Sequence, residues 1–323
     1  MLPLGLLVAA LVLASLLIGP AGLGVGESLS ALVAGDGGPM TLIMREIRLP
    51  RMILAVMIGG SLGLAGAALQ GYLRNPLAEP GLIGVSGSAA LGAVLALQTG
   101  LAGVFALGLP LMALAGALGG VTLVMLLAGP RGGSLTLILA GIAVSALAGA
   151  LTSLVLNLSP NPFAANEIVF WMMGSLADRS MAHVWLALPF MAVGVAILAS
   201  LGRGIDALTL GEDAAEAMGV RLKRLRLQLV LGTACVVGAG TAVAGAIGFV
   251  GLVVPHILRP LVGARPSRLL WASALGGAAM MLAADIAVRV VLPERDLKLG
   301  VLTALVGAPL FLHLILKLRR ERI

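Results

Sequence analysis

The sequence predicts an all-α polytopic membrane protein with about ten transmembrane helices, forming a single domain over residues 1–323. Three observations predict it. Hydrophobic residues make up 60% of the chain, charged residues 11%, and the mean hydropathy is +1.11; a soluble domain carries about 25% charged residues. The apolar residues fall in runs close to the roughly 20 that a helix needs to cross a bilayer. The bases cluster in short stretches between those runs, where charge sets topology.

Taken in order, the runs place spans at 2–19, 52–73, 82–99, 104–128, 135–157, 183–201, 227–247, 249–262, 269–292 and 299–318. The first has no Lys or Arg before its apolar core, so it reads as an uncleaved span and not a signal peptide. The second is dense in small residues, with Gly59, Gly60, Gly63 and Gly66 at spacings that let helix backbones approach closely in lipid. The third and eighth are short or interrupted by Gly and Pro. With the N-terminus in the cytoplasm, fourteen of the 21 bases fall inside and seven outside, which favours that orientation. Both termini are then cytoplasmic, and so is the charged segment after the sixth span.

Composition and motifs exclude several functions. The net charge of +7 is spread over loops, so it is not a nucleic-acid signal. Cys235 is the lone cysteine, and the three histidines are too dispersed for a metal site. Each lysine follows a leucine, so no Gly-Lys pair and no Walker phosphate loop exists. The chain is therefore expected to bind no cofactor, metal or ATP and to be no enzyme. Two other classes leave weaker traces in the sequence. Gly84-Val85-Ser86-Gly87 with His183 is a weak intramembrane serine protease pattern. Asp285, within an apolar run, is a candidate buried acid of the kind an ion-coupled transporter uses, but Arg289 stands four residues on and can pair with it.

The densest charge lies in Leu210 to Arg226, LGEDAAEAMGVRLKRLR. Gly211 breaks the chain, and Glu212, Asp213 and Glu216 occupy the early turns of a short helix, where acids complement the helix dipole. Gly219 can stop that helix in the left-handed conformation. Ala214, Ala215 and Met218 would form a small apolar face suited to a groove. Arg221, Lys223, Arg224 and Arg226 would hold the start of the next span.

Residues 48–92 contain R-L-P-R (Arg48 to Arg51), Gln70, R-N-P-L-A (Arg74 to Ala78) and P-G-L-I-G-V-S (Pro80 to Ser86). Further on stand G-F-V-G-L-V-V-P-H-I-L-R-P (Gly248 to Pro260), A-D-I-A-V-R (Ala284 to Arg289) and G-A-P-L-F (Gly307 to Phe311). From about residue 45 onward the chain resembles the FecCD-type permeases of bacterial importers for iron–siderophores, heme and vitamin B12. The resemblance implies a vitamin B12 importer permease-like fold in the inner membrane. It implies a second permease copy, two ATPase subunits that hold the ATP and Mg, and a periplasmic or lipid-anchored binding protein.

The resemblance also assigns sites. Leu210, Gly211, Glu212, Ala215, Met218 and Gly219, within a segment of about 204–222, would meet the ATPase as a coupling helix. Arg48, Arg51 and Arg289 would dock the binding protein. Gly133, Ser134 and Leu135 would form a cytoplasmic gate. Asn157, Trp171, Met172 and Met173 would line the pathway. One departure stands out: Asp296-Leu297-Lys298-Leu299-Gly300 replaces the family's Glu-Leu-Pro-x-Gly, losing a proline and adding a base near the docking face.

Overall fold

A computed structural model describes residues 1–19, 24–34, 37–105, 107–129, 133–159, 162–291 and 297–320. Those residues are helical throughout, with irregular connections and no strand among them. The helices are α1 (Leu2–Leu17), α2 (Val25–Ala34), α3 (Pro39–Leu73), α4 (Val85–Gln98), α5 (Gly108–Ala128), α6 (Ser134–Asn157) and α7 (Pro162–Met172). They continue as α8 (Met181–Ser200), α9 (Gly202–Leu208), α10 (Glu212–Ala217), α11 (Leu222–Ala244), α12 (Val250–Leu258), α13 (Pro266–Val291) and α14 (Leu299–Arg320).

Every expected span has a helix. Among the described residues, six are long and apolar enough to cross a membrane: α3, α5, α6, α8, α11 and α13. The apolar parts of α1, α4 and α14 are shorter, and the expected span at 249–262 holds nine-residue α12 and a turn at Pro260–Val262. The shortness of α4 and α12 has a structural cause. Each begins after irregular backbone, α4 behind a 3-10 turn at Pro80–Ile83 and α12 behind the irregular segment 245–249.

The centre of the molecule is the pair α3 and α13, which share the most extensive helix contact. Glycine makes it possible. A Cβ on Gly59 would overlap the Gly277 carbonyl, and one on Gly277 would overlap the Gly59 carbonyl. Without side chains the two backbones touch, which is how helices associate when lipid removes the hydrophobic drive between them. α1 packs on α13, α11 packs on α8 and α5, and α4 packs between α5 and α6.

Irregular backbone within a membrane protein must find its hydrogen bonds inside the protein. Gln70, 1% exposed near the end of α3, supplies them. Its Nε2 donates to the carbonyls of Ala78, Gly251 and Leu252 at 3.2–3.3 Å, and its Oε1 accepts from Arg259 at 3.0 Å. Phe249 has φ +68°, a strained value for an aromatic residue, and its N–H donates to Glu79 at 2.6 Å. One helix thus holds both interruptions. Gln70→Leu removes its bonds to these carbonyls and to a half-buried guanidinium, at roughly 1–3 kcal/mol for each group left unsatisfied. The variant is expected to unfold at clearly lower temperature in detergent; an unchanged midpoint would contradict this role.

A second polar tie joins α9 to α13. Asp206 accepts from the Ser267 N–H at 2.8 Å, the Ser267 hydroxyl at 2.7 Å and Arg265 at 3.0 Å. Burial alone would raise its pKa, but the Ser267 bonds and Arg265 outweigh burial and hold it below the usual carboxylate range. A depressed pKa contributes stability above the unfolded value, about 3.9, which is lost as pH falls through the folded value. Acid titration below about pH 4 is therefore expected to destabilise the wild type more than Asp206→Asn; parallel curves would count against the tie.

Candidate functional site

The charged segment forms a short helix on the surface. α10 starts after Gly211 (φ +106°) and ends before Gly219 (φ +86°), both in the region that favours glycine. Its C-terminus is a Schellman motif: the Gly219 N–H donates to the Glu216 carbonyl at 2.9 Å and the Val220 N–H to the Ala215 carbonyl at 3.0 Å. That closure turns Ala215 inward, and it is fully buried. The expected apolar face of Ala214, Ala215 and Met218 is therefore corrected. The large uncovered apolar side chains are Leu210, 68% exposed, and Met218, 64% exposed, with Glu212, Asp213 and Glu216 exposed around them. Glu212 lies 3.8 Å from Arg74, both half exposed, a surface pair worth little in stability.

The four bases after Gly219 do not act alike. Arg221, Lys223 and Arg224 are exposed. Arg226 is 6% exposed and donates to the Gly129 carbonyl at 2.9 Å, tying the start of α11 to the end of α5. Near Gly129, Gly133 caps α6 in extended conformation and is exposed, and Leu135 is 68% exposed. Ser134 begins α6, while its side chain and residues 130–132 of the expected gate lie outside the described residues.

At the other end of the bundle the three arginines assigned to docking share one cluster. Arg48 is 4% exposed and donates to the Leu16 and Leu17 carbonyls at 2.8 and 3.1 Å. Arg289 donates to the Ser15 and Ile18 carbonyls and to the Ser15 hydroxyl at 2.7–2.9 Å. These two guanidiniums close the C-terminus of α1, where cations complement the helix dipole. Asp285, fully buried, pairs with Arg289 at 2.8 Å, as the i, i+4 spacing predicts, and with Arg51 at 2.7 Å, a partner 234 residues away. The four residues carry three positive charges and one negative.

The expected pathway residues separate. Asn157 is exposed at the end of α6. Trp171 is half-buried, and its indole N–H has no acceptor among the described residues. Met172 and Met173 line an open, mostly apolar cavity of about 660 Å³ with Gly248, Phe249, Gly300 and Pro309. The backbones around it are joined: the Ser175 N–H donates to the Ala244 carbonyl at 2.7 Å and the Gly300 N–H to the Gly174 carbonyl at 3.2 Å. Sequence reasoning missed the contribution of 245–249 and α14; the Gly248-Phe249 break and Gly300 were its only signals. Lys298 lies over the Phe170 ring, 5.5 Å from its centroid, so the base that replaces the family pattern rests on α7. Asp296 lies outside the described residues.

No group of three or more His, Cys, Asp or Glu side chains among the described residues could hold a metal. Ser86 and His183 form no pair: the His183 ring bonds Ser180 at the start of α8. The geometry is that of a multi-pass membrane protein with an exposed helix at one end and an arginine cluster at the other.

The FecCD transport family model matches residues 6–317, and the chain belongs to that family. It is 38% identical over 277 residues to the Fe(3+) dicitrate transport system permease protein FecD of Escherichia coli, covering 86% of each chain. It is 42% identical over 280 residues to the cobalamin import system permease protein BtuC of Halobacterium salinarum, covering 85% of this chain and 73% of that one. Its fold matches an inward-facing structure of a transporter assigned to the metal-chelate ABC type, with TM-score 0.86, 35% identity and 98% of each chain covered.

Proposed function

We propose that the chain is the transmembrane permease subunit of a binding-protein-dependent ABC importer for an iron chelate, a siderophore or heme. The observation that carries the reading is α10: a short helix set off by two positive-φ glycines, with Leu210 and Met218 uncovered and acids around them. An apolar pair ringed by charge on an otherwise charged surface suits a groove on a partner. The chain has no Walker loop, so the energy enters through such a partner, the ATPase subunit that holds ATP and Mg.

In this reading about ten segments thread the inner membrane, with both termini cytoplasmic and α10 on the cytoplasmic face. Two copies of the chain surround the pathway and two ATPase subunits dock below. The binding protein, periplasmic or lipid-anchored, docks at the Arg48, Arg51 and Arg289 cluster. The cluster's net positive charge supports that by attracting an acidic partner; Arg48 and the Arg289 side chain, 4% and 7% exposed, are held by α1, so Arg51, with its side chain 15% exposed, is the guanidinium nearest to contact. Affinity for the binding protein is then expected to fall as salt rises; salt-independent affinity would contradict docking there. Gly133, Ser134 and Leu135 serve as the cytoplasmic gate. Asn157, Trp171, Met172 and Met173 serve as pathway lining.

Cobalamin import by the same mechanism is the second reading, favoured by the 42% identity to a cobalamin permease. Isolating the partner binding protein and identifying the ligand it retains decides between them. A bound iron chelate is expected; bound cobalamin would overturn the cargo assignment and leave the mechanism standing.

A further inference from the structure

The geometry points to a binding site for one anionic phospholipid at the start of α11, with the headgroup phosphate on Arg221 and Arg224. A pocket of about 210 Å³ opens there, lined by Gly219, Val220, Arg221, Arg224, Leu225 and Gln228. Both arginines are exposed, and no described carboxylate lies within ion-pairing distance of either. Arginine offers a planar fork of donors that matches phosphate oxygens.

What lies above the arginines identifies the occupant. Residues three and four apart share a helix face. Counting from Arg224, that face of α11 carries Leu227, Gln228 and Leu231. Leu227 is 43% exposed and Leu231 41% exposed, although most of α11 is buried. An exposed apolar strip therefore rises from the basic pocket into the membrane-spanning part of the helix. A soluble protein can meet the arginines but cannot follow that strip, whereas acyl chains can. The combination of guanidiniums at the boundary and leucines above them fits a phospholipid with a negatively charged headgroup, and basic residues near a membrane surface each favour anionic lipid.

The pocket wall also contains Gly219 and Val220, the residues that cap α10. An occupying headgroup would lie against the cap of the proposed coupling helix. Only that consequence, and the choice of the cytoplasmic leaflet, rest on the importer reading; the site itself does not.

The test uses native mass spectrometry on the full chain in neutral detergent, titrated with phosphatidylglycerol or phosphatidylcholine of identical acyl chains. Retention of phosphatidylglycerol is expected to exceed that of phosphatidylcholine roughly tenfold. Arg221→Gln with Arg224→Gln is expected to remove the preference, and Arg268→Gln, at an exposed base elsewhere, to keep it. Leu227→Ser with Leu231→Ser is expected to weaken retention of phosphatidylglycerol. Equal retention of the two lipids, or an undiminished preference in the double arginine variant, would overturn the site. Displacement of the lipid by an equal concentration of glycerol 3-phosphate would also overturn it, by showing that phosphate alone is recognised. Arg221→Lys with Arg224→Lys controls for misfolding and is expected to retain the preference. No ATPase or cargo is needed, so failure of the importer reading would leave this result unaffected.

Discussion

Asp285→Asn is expected to be among the most damaging single substitutions in the chain. The native carboxylate is fully buried and pairs with Arg51 and Arg289 at 2.7 and 2.8 Å. Asparagine keeps the shape but loses the charge. Two guanidiniums, 15% and 7% exposed, are then left in the protein without a counter-ion. Removing one partner of a buried ion pair typically destabilises by about 3–5 kcal/mol, because the remaining charge is uncompensated. Arg289 also holds the Ser15 and Ile18 carbonyls, so disorder in the cluster should spread to α1. Thermal unfolding in detergent reads the first effect and hydrogen exchange over α1 the second. A midpoint near wild type, with α1 protection unchanged, would mean that the cluster is not a structural keystone.

The second large effect is expected at α10, and it should leave the membrane fold intact. Gly219 takes φ +86°, and a Cβ there meets no heavy atom within 4 Å. The obstacle to Gly219→Val is therefore backbone conformation and not space. A left-handed residue with a side chain costs about 1–2 kcal/mol, more for a β-branched one, so the Schellman closure is expected to open. Leu210 and Met218 would lose their fixed relation. Glu212→Lys tests the same surface by charge, without touching the cap. Both variants are expected to purify at normal yield with normal thermal stability and to lose most of their ATPase subunit on co-purification. Co-purification at the wild-type level in both would remove α10 from the coupling role.

Much of this architecture was legible in the sequence, and the failures have physical reasons. Each of the ten apolar runs overlaps a helix, but among the described residues six helices are long and apolar enough to cross a membrane, so the helices follow from hydropathy while the count of ten spans does not. Small residues on α3 announced a close helix crossing, and Gly59 provides it against Gly277. The glycines at 211 and 219 marked the limits of α10 correctly, since a positive φ has a strong residue preference. The pairing of Asp285 with Arg289 followed from helical spacing, but its second partner, Arg51, did not. No local pattern encodes a contact across 234 residues. Spacing puts Ala215 on one face with Ala214 and Met218 without saying which part of that face is covered; the cap buries it. The roles of Arg226 and Arg224, two positions apart, could not be separated by composition. They point to opposite sides, one to the Gly129 carbonyl and one to the surface. The third and eighth runs read as short or interrupted, and α4 and α12 are short; what the sequence did not show is that Gln70 and Glu79 satisfy the backbone around them, at Ala78, Gly251, Leu252 and Phe249.

The most direct test of the importer account is uptake into liposomes containing the purified chain. Iron-chelate uptake is expected only when the ATPase subunit, ATP on its side of the membrane and the loaded binding protein are all present, and it should cease with an ATPase unable to hydrolyse ATP. Uptake driven by an ion gradient across liposomes that contain the chain alone would contradict the account.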